Sequence, residues 1–446
     1  MFIKEQKFLI LGVSKSGYSV AKYLLENQGS CYLYEQLKSP KIDSAMKELT
    51  ELGAKKVRAD EVDNILKEVD VLVISPGIPI NHDLAVKAKK LGKRIVGELE
   101  FGYLQFNPTM VAVTGTNGKT TTVTLIDEIL KGSKIKSVLV GNVGIPLTSK
   151  ISDVDKDTVC VAEVSSFQLE SINAFCPHVT CVLNIAPDHL ERHYSMDNYI
   201  YLKKRLLRNQ RESEYSILNF DDEVVKNFAI GAKSKIIWVS IKNKIDGAYC
   251  YNGKIYFKDE YILDSSDLAL DGEHNLYNSL FALSVAKLLG VKSDAIVKVL
   301  KEFKGVKHRI ELIAEKHGVK FYNDSKATNT TSTISAINCM KAPTILILGG
   351  YEKGENYFDL FNQVKERGIK EIILTGASRF NMLEVAGKVG LNNITVVATF
   401  ENAIKIANLL AKPGDSVLLS PACSSYDCFS GYEERGEVFM KTVRDL

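Results

Sequence analysis

The chain has 446 residues, 45% apolar and 25% charged, proportions of an ordinary globular protein that exclude a disordered chain or a collagen-like repeat. Its 57 Lys and Arg against 54 Asp and Glu leave a net charge of +3, too little for general nucleic-acid binding, though a local basic pocket stays open. No apolar run approaches the roughly 18 residues of a membrane span, and at roughly 150 residues per domain the length predicts about three domains.

The opening stretch MFIKEQKFLILGV runs at once into Ser14-Lys15-Ser16, which predicts a first strand and not a secretion signal. Phe8–Val13 reads as that strand, Gly17–Glu26 as a helix, and Cys31–Tyr34 and Val71–Ser75 as further strands, the last followed by Pro76-Gly77. This alternation predicts a parallel sheet with helices on both faces and ligands at the carboxyl ends of its strands. The pattern restarts near Met110. MVAVTG is a strand, Thr120–Leu130 a helix, and strands follow at Ser137–Val140, Thr158–Glu163, Val179–Asn184 and Ser216–Asn219. A β-rich patch with tyrosines covers Ala248–Ile262, ahead of helices at Asn275–Leu289 and Ser293–Phe303. A third alternation fills 305–446, with strands at Val319–Tyr322, Thr344–Leu348, Glu371–Leu374, Ile394–Val397 and Ser416–Leu419 and a helix from Glu433 to the end. The expected class is α/β in three domains, 1–97, 98–304 and 305–446. The eight Cys include no C-x-x-C pair, and the five-residue steps Cys176/Cys181 and Cys423/Cys428 suit no zinc knuckle, so small, buried or free thiols in a reducing cytoplasm are expected.

The sharpest local motif is Gly115-Thr116-Asn117-Gly118-Lys119-Thr120, between a strand and a helix. Its glycines let backbone N–H groups converge on phosphate oxygens, and the helix start adds positive potential. Lys119 supplies a point charge for the outer phosphates, and the Thr120 hydroxyl suits Mg²⁺. The spacing is two residues shorter than the usual P-loop, which weakens a generic GTPase or motor reading. Glu163 ends one strand in reach of that loop, and Asn184 and Asp188-His189 follow the next. Mg²⁺ prefers oxygen ligands, so His189 is either an unusual ligand or a hydrogen-bonded structural residue. Lys203-Lys204-Arg205 and Arg208 lie on a predicted helix. They form a solvated basic face, or one lysine turns inward to hold phosphate or, desolvated and neutral, to take up CO₂ as a carbamate.

The segments TGTNGKTTT, EVSSFQLE, NIAPDHLERH, YIYLKKR, GEHNLYN, KHRIE and NDSKATN lie in this order. Together they resemble the Mur ligase family of ATP-dependent amide-bond ligases over nearly the whole chain. LGVSKSG, ISPGIP and LSPACSSYDCFSGYEERG are most similar to the member of that family that adds D-glutamate. The resemblance implies Rossmann-like first and third domains around a P-loop ATPase-like central domain with a mainly parallel sheet. It also implies that ATP phosphorylates the carboxylate of UDP-N-acetylmuramoyl-L-alanine, and that the amine of D-glutamate attacks the acyl phosphate.

The resemblance assigns roles as well. Gly115, Thr116, Asn117, Gly118, Lys119, Thr120 and Thr121 would hold ATP, with Asn275 and Asn278 at the adenine. Arg309, Asp324 and Lys326 would meet ATP as the third domain closes. Thr120, Glu163 and His189 would serve two Mg²⁺ ions bridged by a carbamylated lysine, with Lys119, His189 and that lysine as the catalytic set. Tyr199 plus four selects Lys203 as the bridging residue; Lys204 fits if that tyrosine is disregarded. Ser14, Lys15, Ser16, Gly17, Glu35 and Gln36 would receive the UDP group, although a more glycine-rich loop is the family pattern. Asn142 would lie near the substrate's diphosphate or sugar. Thr328, Lys353, Ser425 and Tyr432 would cradle D-glutamate, Tyr432 standing where some members carry Phe. A cytoplasmic monomer with no nucleic-acid or membrane partner is expected. A related ligase using another amino acid, and a nucleotide-dependent switch without catalysis, are the alternatives.

Overall fold

The computed structural model describes residues 3–106, 108–142, 145–270, 272–352 and 356–446. Among these, the chain builds three β-sheets with helices packed on them, the α/β class that the alternating pattern predicts. The first sheet contains β1 (Lys7–Leu11), β2 (Ser30–Tyr34), β3 (Lys55–Lys56), β4 (Val71–Ile74) and β5 (Arg94–Val96) in the order β3-β2-β1-β4-β5, every pair parallel. Parallel strands need crossovers, and these cover both faces: one face packs Phe8, Ile10, Val20 and Leu24, the other Leu9, Leu11, Leu66 and Leu84. The first strand stops at Leu11, short of the expected Val13, because Gly12 takes φ +87° and swings the chain into α1 (Lys15–Glu26). A Cβ on Gly17 would lie 1.9 Å from the Gly12 carbonyl oxygen, so only glycine lets α1 begin against the strand end.

The second sheet holds β6 (Thr109–Thr114), β7 (Ser137–Gly141), β8 (Val159–Glu163), β9 (Val179–Val182), β10 (Tyr215–Asn219), β11 (Lys235–Ser240), β12 (Gly247–Tyr251), β13 (Lys254–Phe257) and β14 (Glu260–Asp264). Their order is β14-β13-β12-β11-β10-β9-β6-β8-β7. The tyrosine-rich patch is an antiparallel ribbon, β12 to β14. Its first turn, Asn252-Gly253, has positive φ at both residues, as a tight I′ hairpin requires. β6 lies between β8 and β9, so the loop after it emerges between the carboxyl ends of those strands. The helix Glu98–Gln105 leads into this sheet, and its two buried carboxylates serve backbone amides. Glu98 accepts from the Thr148 N–H at 2.7 Å, and Glu100 from Asn173, Ala174 and Phe175 at 2.9, 2.7 and 3.0 Å.

The first two sheets belong to one compact unit, Met1–Leu268 with Leu276–Glu302; Ala269–Asn275 and Phe303–Leu446 form the other. The second unit carries β15 (Glu311–Lys316), β16 (Val319–Asn323), β17 (Thr344–Leu348), β18 (Glu371–Leu374), β19 (Ile394–Val396) and β20 (Ser416–Leu419). β20 inserts between β16 and β17, and β15 pairs antiparallel on the edge, a strand whose mixed exposure leaves no buried run in the sequence. Ile345, Ile347, Val417 and Leu419 pack on one face, Leu346, Leu348, Leu374 and Leu418 on the other. No helix among the described residues is long and apolar enough to cross a membrane.

Gly17→Ala should lower stability by at least about 2 kcal/mol, since a backbone oxygen cannot step aside. Gly387→Ala, inside the helix Arg379–Val389 with nothing within 4 Å of the added carbon, should raise it by up to about 1 kcal/mol. Urea-unfolding midpoints of the two variants check both signs.

Candidate active site

The loop after β6 reaches its shape through Gly115 at φ +150° and Gly118 at φ +86°; Gly118 caps α2 (Lys119–Gly132). A Cβ on Gly118 would sit 2.4 Å from Asn278 Oδ1, which accepts from Thr122 Oγ1 at 3.2 Å, so the close approach of Asn278 requires glycine. The far side of the loop is buttressed by Asn184. Its Oδ1 accepts from the Asn117 N–H at 2.8 Å, its Nδ2 donates to the Asn117 carbonyl at 3.1 Å, and its own carbonyl accepts from the Thr116 N–H at 3.0 Å. Lys119 Nζ donates to the carbonyls of Gly115 at 2.9 Å and Thr116 at 2.7 Å. Thr121 is buried with its hydroxyl enclosed and unpartnered.

At the lip of the loop, Glu163 ends β8 and joins two strand ends. Its Oε2 accepts from Thr120 Oγ1 at 2.7 Å and its Oε1 from Asn142 Nδ2 at 2.9 Å. Asp188 Oδ1 is buried without a hydrogen-bond partner. His189 takes a left-handed φ of +54°; its ring lies 4.8 Å from that of Phe167 and its Nε2 3.6 Å from Asp188 Oδ2. Lys203, in the last turn of α3 (Met196–Lys204), is buried. Its Nζ donates to the Gly115 carbonyl at 2.7 Å and to Thr114 Oγ1 at 3.1 Å. Burial, reinforced by Lys119, holds its pKa well below that of an ordinary lysine, which favours the amine form. Lys204, a step of ~100° further round the helix, points instead to the carbonyls of Asn227 and Ile230 at 3.4 and 3.3 Å.

These donors suit a hard cation. Thr120 and Glu163 offer adjacent oxygens, and Asp188 Oδ1 is an orphaned buried acceptor. No group of three or more His, Cys, Asp or Glu that could hold a metal assembles among the described residues, so Mg²⁺ here would be completed by phosphate oxygens and water. Lys203 as an amine adds no oxygen; a carbamate on it would.

In the first domain, Ser14 and Lys15 are exposed, Ser16 half-buried and Gly17 buried. Glu35 folds back on this segment: its Oε2 accepts from the Val13 N–H at 2.6 Å and its Oε1 from the Gln36 and Leu37 N–H groups, both at 2.8 Å. Gln36 Nε2 donates to Tyr34 Oη at 3.0 Å.

Of the remaining candidates, Asn275, Arg309, Asp324, Lys326, Thr328, Ser425 and Tyr432 lie in the second unit; Lys353 lies outside the described residues. Lys326 Nζ donates to Tyr432 Oη at 3.0 Å and lies 4.8 Å from the centre of its ring, at the start of α4 (Tyr432–Arg444). Asp324 is buried, accepting from the Ile310 N–H at 3.2 Å and Ser420 Oγ at 2.7 Å. Burial pushes its pKa up to about 7 against the pull of Arg309. Arg309 Nε is itself buried and unpartnered, Ser425 is buried and Thr328 half-buried. Sequence reasoning missed Arg435, a buried guanidinium that donates to Ser325 Oγ and to the carbonyls of Ser325, Cys423 and Ser424 at 2.8 to 3.2 Å. It ties together the loops after β16 and β20. The signal was present: Arg435, Phe439 and Val443 are spaced four apart and share one buried helix face. Five of the eight cysteines are buried, Cys176 and Cys339 are partly buried and Cys428 is exposed, in line with the buried or free thiols expected.

The Mur ligase MurD-like N-terminal domain matches residues 6–97, the Mur ligase middle domain 113–286, and the Mur ligase glutamate ligase domain 308–423. A UDP-N-acetylmuramoylalanine–D-glutamate ligase of Thermoanaerobacter sp. is 41% identical over 453 residues, covering all of both chains. Ligases of the same name from Caldanaerobacter subterraneus subsp. tengcongensis and Clostridioides difficile are 39% and 38% identical, again over the full length of both chains. Among solved structures, the UDP-N-acetylmuramate–alanine ligase MurC of Thermotoga maritima is similar at TM-score 0.62 and 16% identity, covering 99% of each chain. MurF of Thermotoga maritima, solved with ADP, is similar at 0.60 and 16%, covering 100% of this chain and 99% of that one.

His274, in the GEHN segment, has its pKa pushed down to about 4 by burial and by Arg309. An imidazole held neutral adds stability above its unfolded pKa of about 6.5 and loses it as pH falls towards about 4. The second unit should therefore lose up to about 3 kcal/mol across that window, and His274→Gln should flatten the loss. Hydrogen exchange in the helix Thr330–Cys339, where Cys339 Sγ lies 3.8 Å from His274 Nδ1, reads it out.

Proposed function

The chain belongs to the Mur ligase family, and on that premise we propose that it catalyses the ATP-dependent ligation of D-glutamate to UDP-N-acetylmuramoyl-L-alanine in peptidoglycan precursor synthesis. The observation that carries this reading is the full-length likeness, at about four residues in ten, to ligases of that name. The site supports it chemically, because its parts suit phosphoryl transfer to a carboxylate.

A carboxylate is a poor electrophile. Attack of its oxygen on the γ-phosphorus forms an acyl phosphate and breaks the bond to ADP. The D-glutamate amine then adds to the carbonyl carbon, gives up a proton, and phosphate leaves as the amide forms. Lys119 neutralises charge on the outer phosphates from the start of α2, whose backbone amides add positive potential. Thr120 and Glu163 would hold Mg²⁺, which would supply positive charge against the transferring phosphoryl group. Lys203, desolvated and shifted towards its amine form, would add CO₂ and lose a proton to become a carbamate, whose oxygens together with His189 would hold a second Mg²⁺.

We assign residues 1–97 to the UDP-substrate, 98–304 to ATP and 305–446 to the amino acid. The segment Ser14–Gly17, which the structure makes the cap and first turn of α1 and not the expected loop, receives the UDP group with Glu35 and Gln36, and Asn142 faces the sugar side of the substrate. Asn275 and Asn278 take the adenine, and Arg309, Asp324 and Lys326 the nucleotide phosphates. Thr328, Lys353, Ser425 and Tyr432 bind D-glutamate; the Tyr432 hydroxyl, already paired with Lys326, adds polarity there. A nucleotide-linked substrate suits a cytoplasmic setting, and we take the protein to act there as a monomer.

Incubation with UDP-N-acetylmuramoyl-L-alanine, ATP, Mg²⁺ and a panel of amino acids should give an amide with D-glutamate alone, identified by product mass; amide formation with another amino acid instead would replace this reading. With ¹⁸O in the substrate carboxylate, one labelled oxygen should appear in the released phosphate. Lys203→Ala should cut turnover by at least about a hundredfold with partial rescue by short carboxylic acids, whereas Lys204→Ala should stay within about threefold of the parent.

A further inference from the structure

Between the first domain and the phosphate loop lies a turn that the proposed chemistry does not use. It is the four-residue helix Leu190–His193, with His189 before it at φ +54° and Tyr194 after it at φ +65°. Left-handed conformations at two bulky residues are costly and persist where the surroundings over-determine them. Here the surroundings are explicit. Arg192 clamps Glu170 with two bonds, Nε to Oε1 at 3.0 Å and Nη2 to Oε2 at 2.7 Å. The same guanidinium donates to three consecutive carbonyls of the first domain: Pro76 at 3.3 Å, Gly77 at 3.1 Å and Ile78 at 3.0 Å. Glu170 Oε2 also accepts from the Ile80 N–H at 3.2 Å, and Asn81 Nδ2 donates to Tyr194 Oη at 3.2 Å.

The contacts continue in both directions. Ser75 Oγ donates to the Gly12 carbonyl at 2.7 Å, at the root of the segment Ser14–Gly17, and Ile78 packs so closely that a Cβ on Gly12 would meet its Cδ1 at 2.8 Å. On the other side, Arg192 Cζ lies 4.8 Å over the ring of Phe167, and that ring lies 4.8 Å from the ring of His189. One guanidinium thus touches the segment beside Ser14–Gly17 through its edge and the aromatic neighbour of His189 through its face, the two binding modes in which arginine differs from lysine.

We propose that Arg192 is a positioning residue that sets the separation between the UDP-substrate segment of the first domain and His189. It works as a spacer: the UDP end of the substrate is anchored on one side, its carboxylate is presented on the other, and Arg192 holds the two supports in register. The proposal rests on the ligase reading given above. Arg192 itself touches no reacting atom.

The test compares wild type, Arg192→Ala and Arg192→Lys; lysine keeps a charge for Glu170 but lacks the fork that spans three carbonyls. Arg192→Ala should raise KM for UDP-N-acetylmuramoyl-L-alanine by about tenfold while KM for ATP moves by less than about twofold, and phosphate released per amide formed should rise above one. Arg192→Lys should fall between the two. Equal changes in both KM values, or unchanged KM with one phosphate per amide, would overturn the proposal. Hydrogen exchange without substrate provides the second readout, independent of activity. In Arg192→Lys, protection should drop together in 75–81 and 188–194 and persist in α2; unchanged protection in 75–81 would also overturn it. A wild-type protein that forms no amide would count against the ligase reading, while the exchange result would still decide the role of Arg192.

Discussion

Two lysines meet on one oxygen. The Gly115 carbonyl accepts from Lys119 Nζ at 2.9 Å and from Lys203 Nζ at 2.7 Å, and much of the site follows from that crowding. Lys203 is buried and Lys119 half-buried, and burial, with the neighbouring Lys119 second, holds the Lys203 pKa well below that of an ordinary lysine. A lowered pKa favours the amine form of Lys203, with a free electron pair. The arrangement depends on the glycines of the loop, whose positive φ values turn carbonyls towards the lysines, and on β6 lying between β8 and β9, which delivers Glu163 to one side and Asn184 to the other.

The same economy recurs across both units. Loops at strand ends carry backbone groups that no sheet satisfies, and such groups need partners when buried. This chain supplies them with long charged side chains. Carboxylates of Glu35, Glu98 and Glu100 collect N–H groups, and guanidinium groups of Arg192 and Arg435 collect carbonyls. The ion is solvated by peptide dipoles and the loop loses its freedom. Both oxygens of Glu35 are engaged by backbone N–H groups, those of Val13, Gln36 and Leu37.

The strands were legible where they are central and parallel. Thr344–Leu348, Glu371–Leu374 and Ser416–Leu419 fall at the expected positions because a strand buried on both faces writes a continuous apolar run. β15 was not legible, since an edge strand with no fully buried residue resembles a loop in composition. The phosphate loop was legible because its glycines, lysine and threonine must be contiguous to act.

Local order thus came from the sequence alone: the α/β alternation, the glycine-bearing loop between β6 and α2, and the face of α3 that carries Lys203 all depend on spacing within a few residues. The partners did not. Lys203 meets Gly115 across 88 positions, Arg192 meets Ile78 across 114, and Arg435 meets Ser325 across 110. Periodicity reports which way a side chain leaves its own element. What it meets there depends on strand order and crossovers, which bring distant segments together only once the chain has folded.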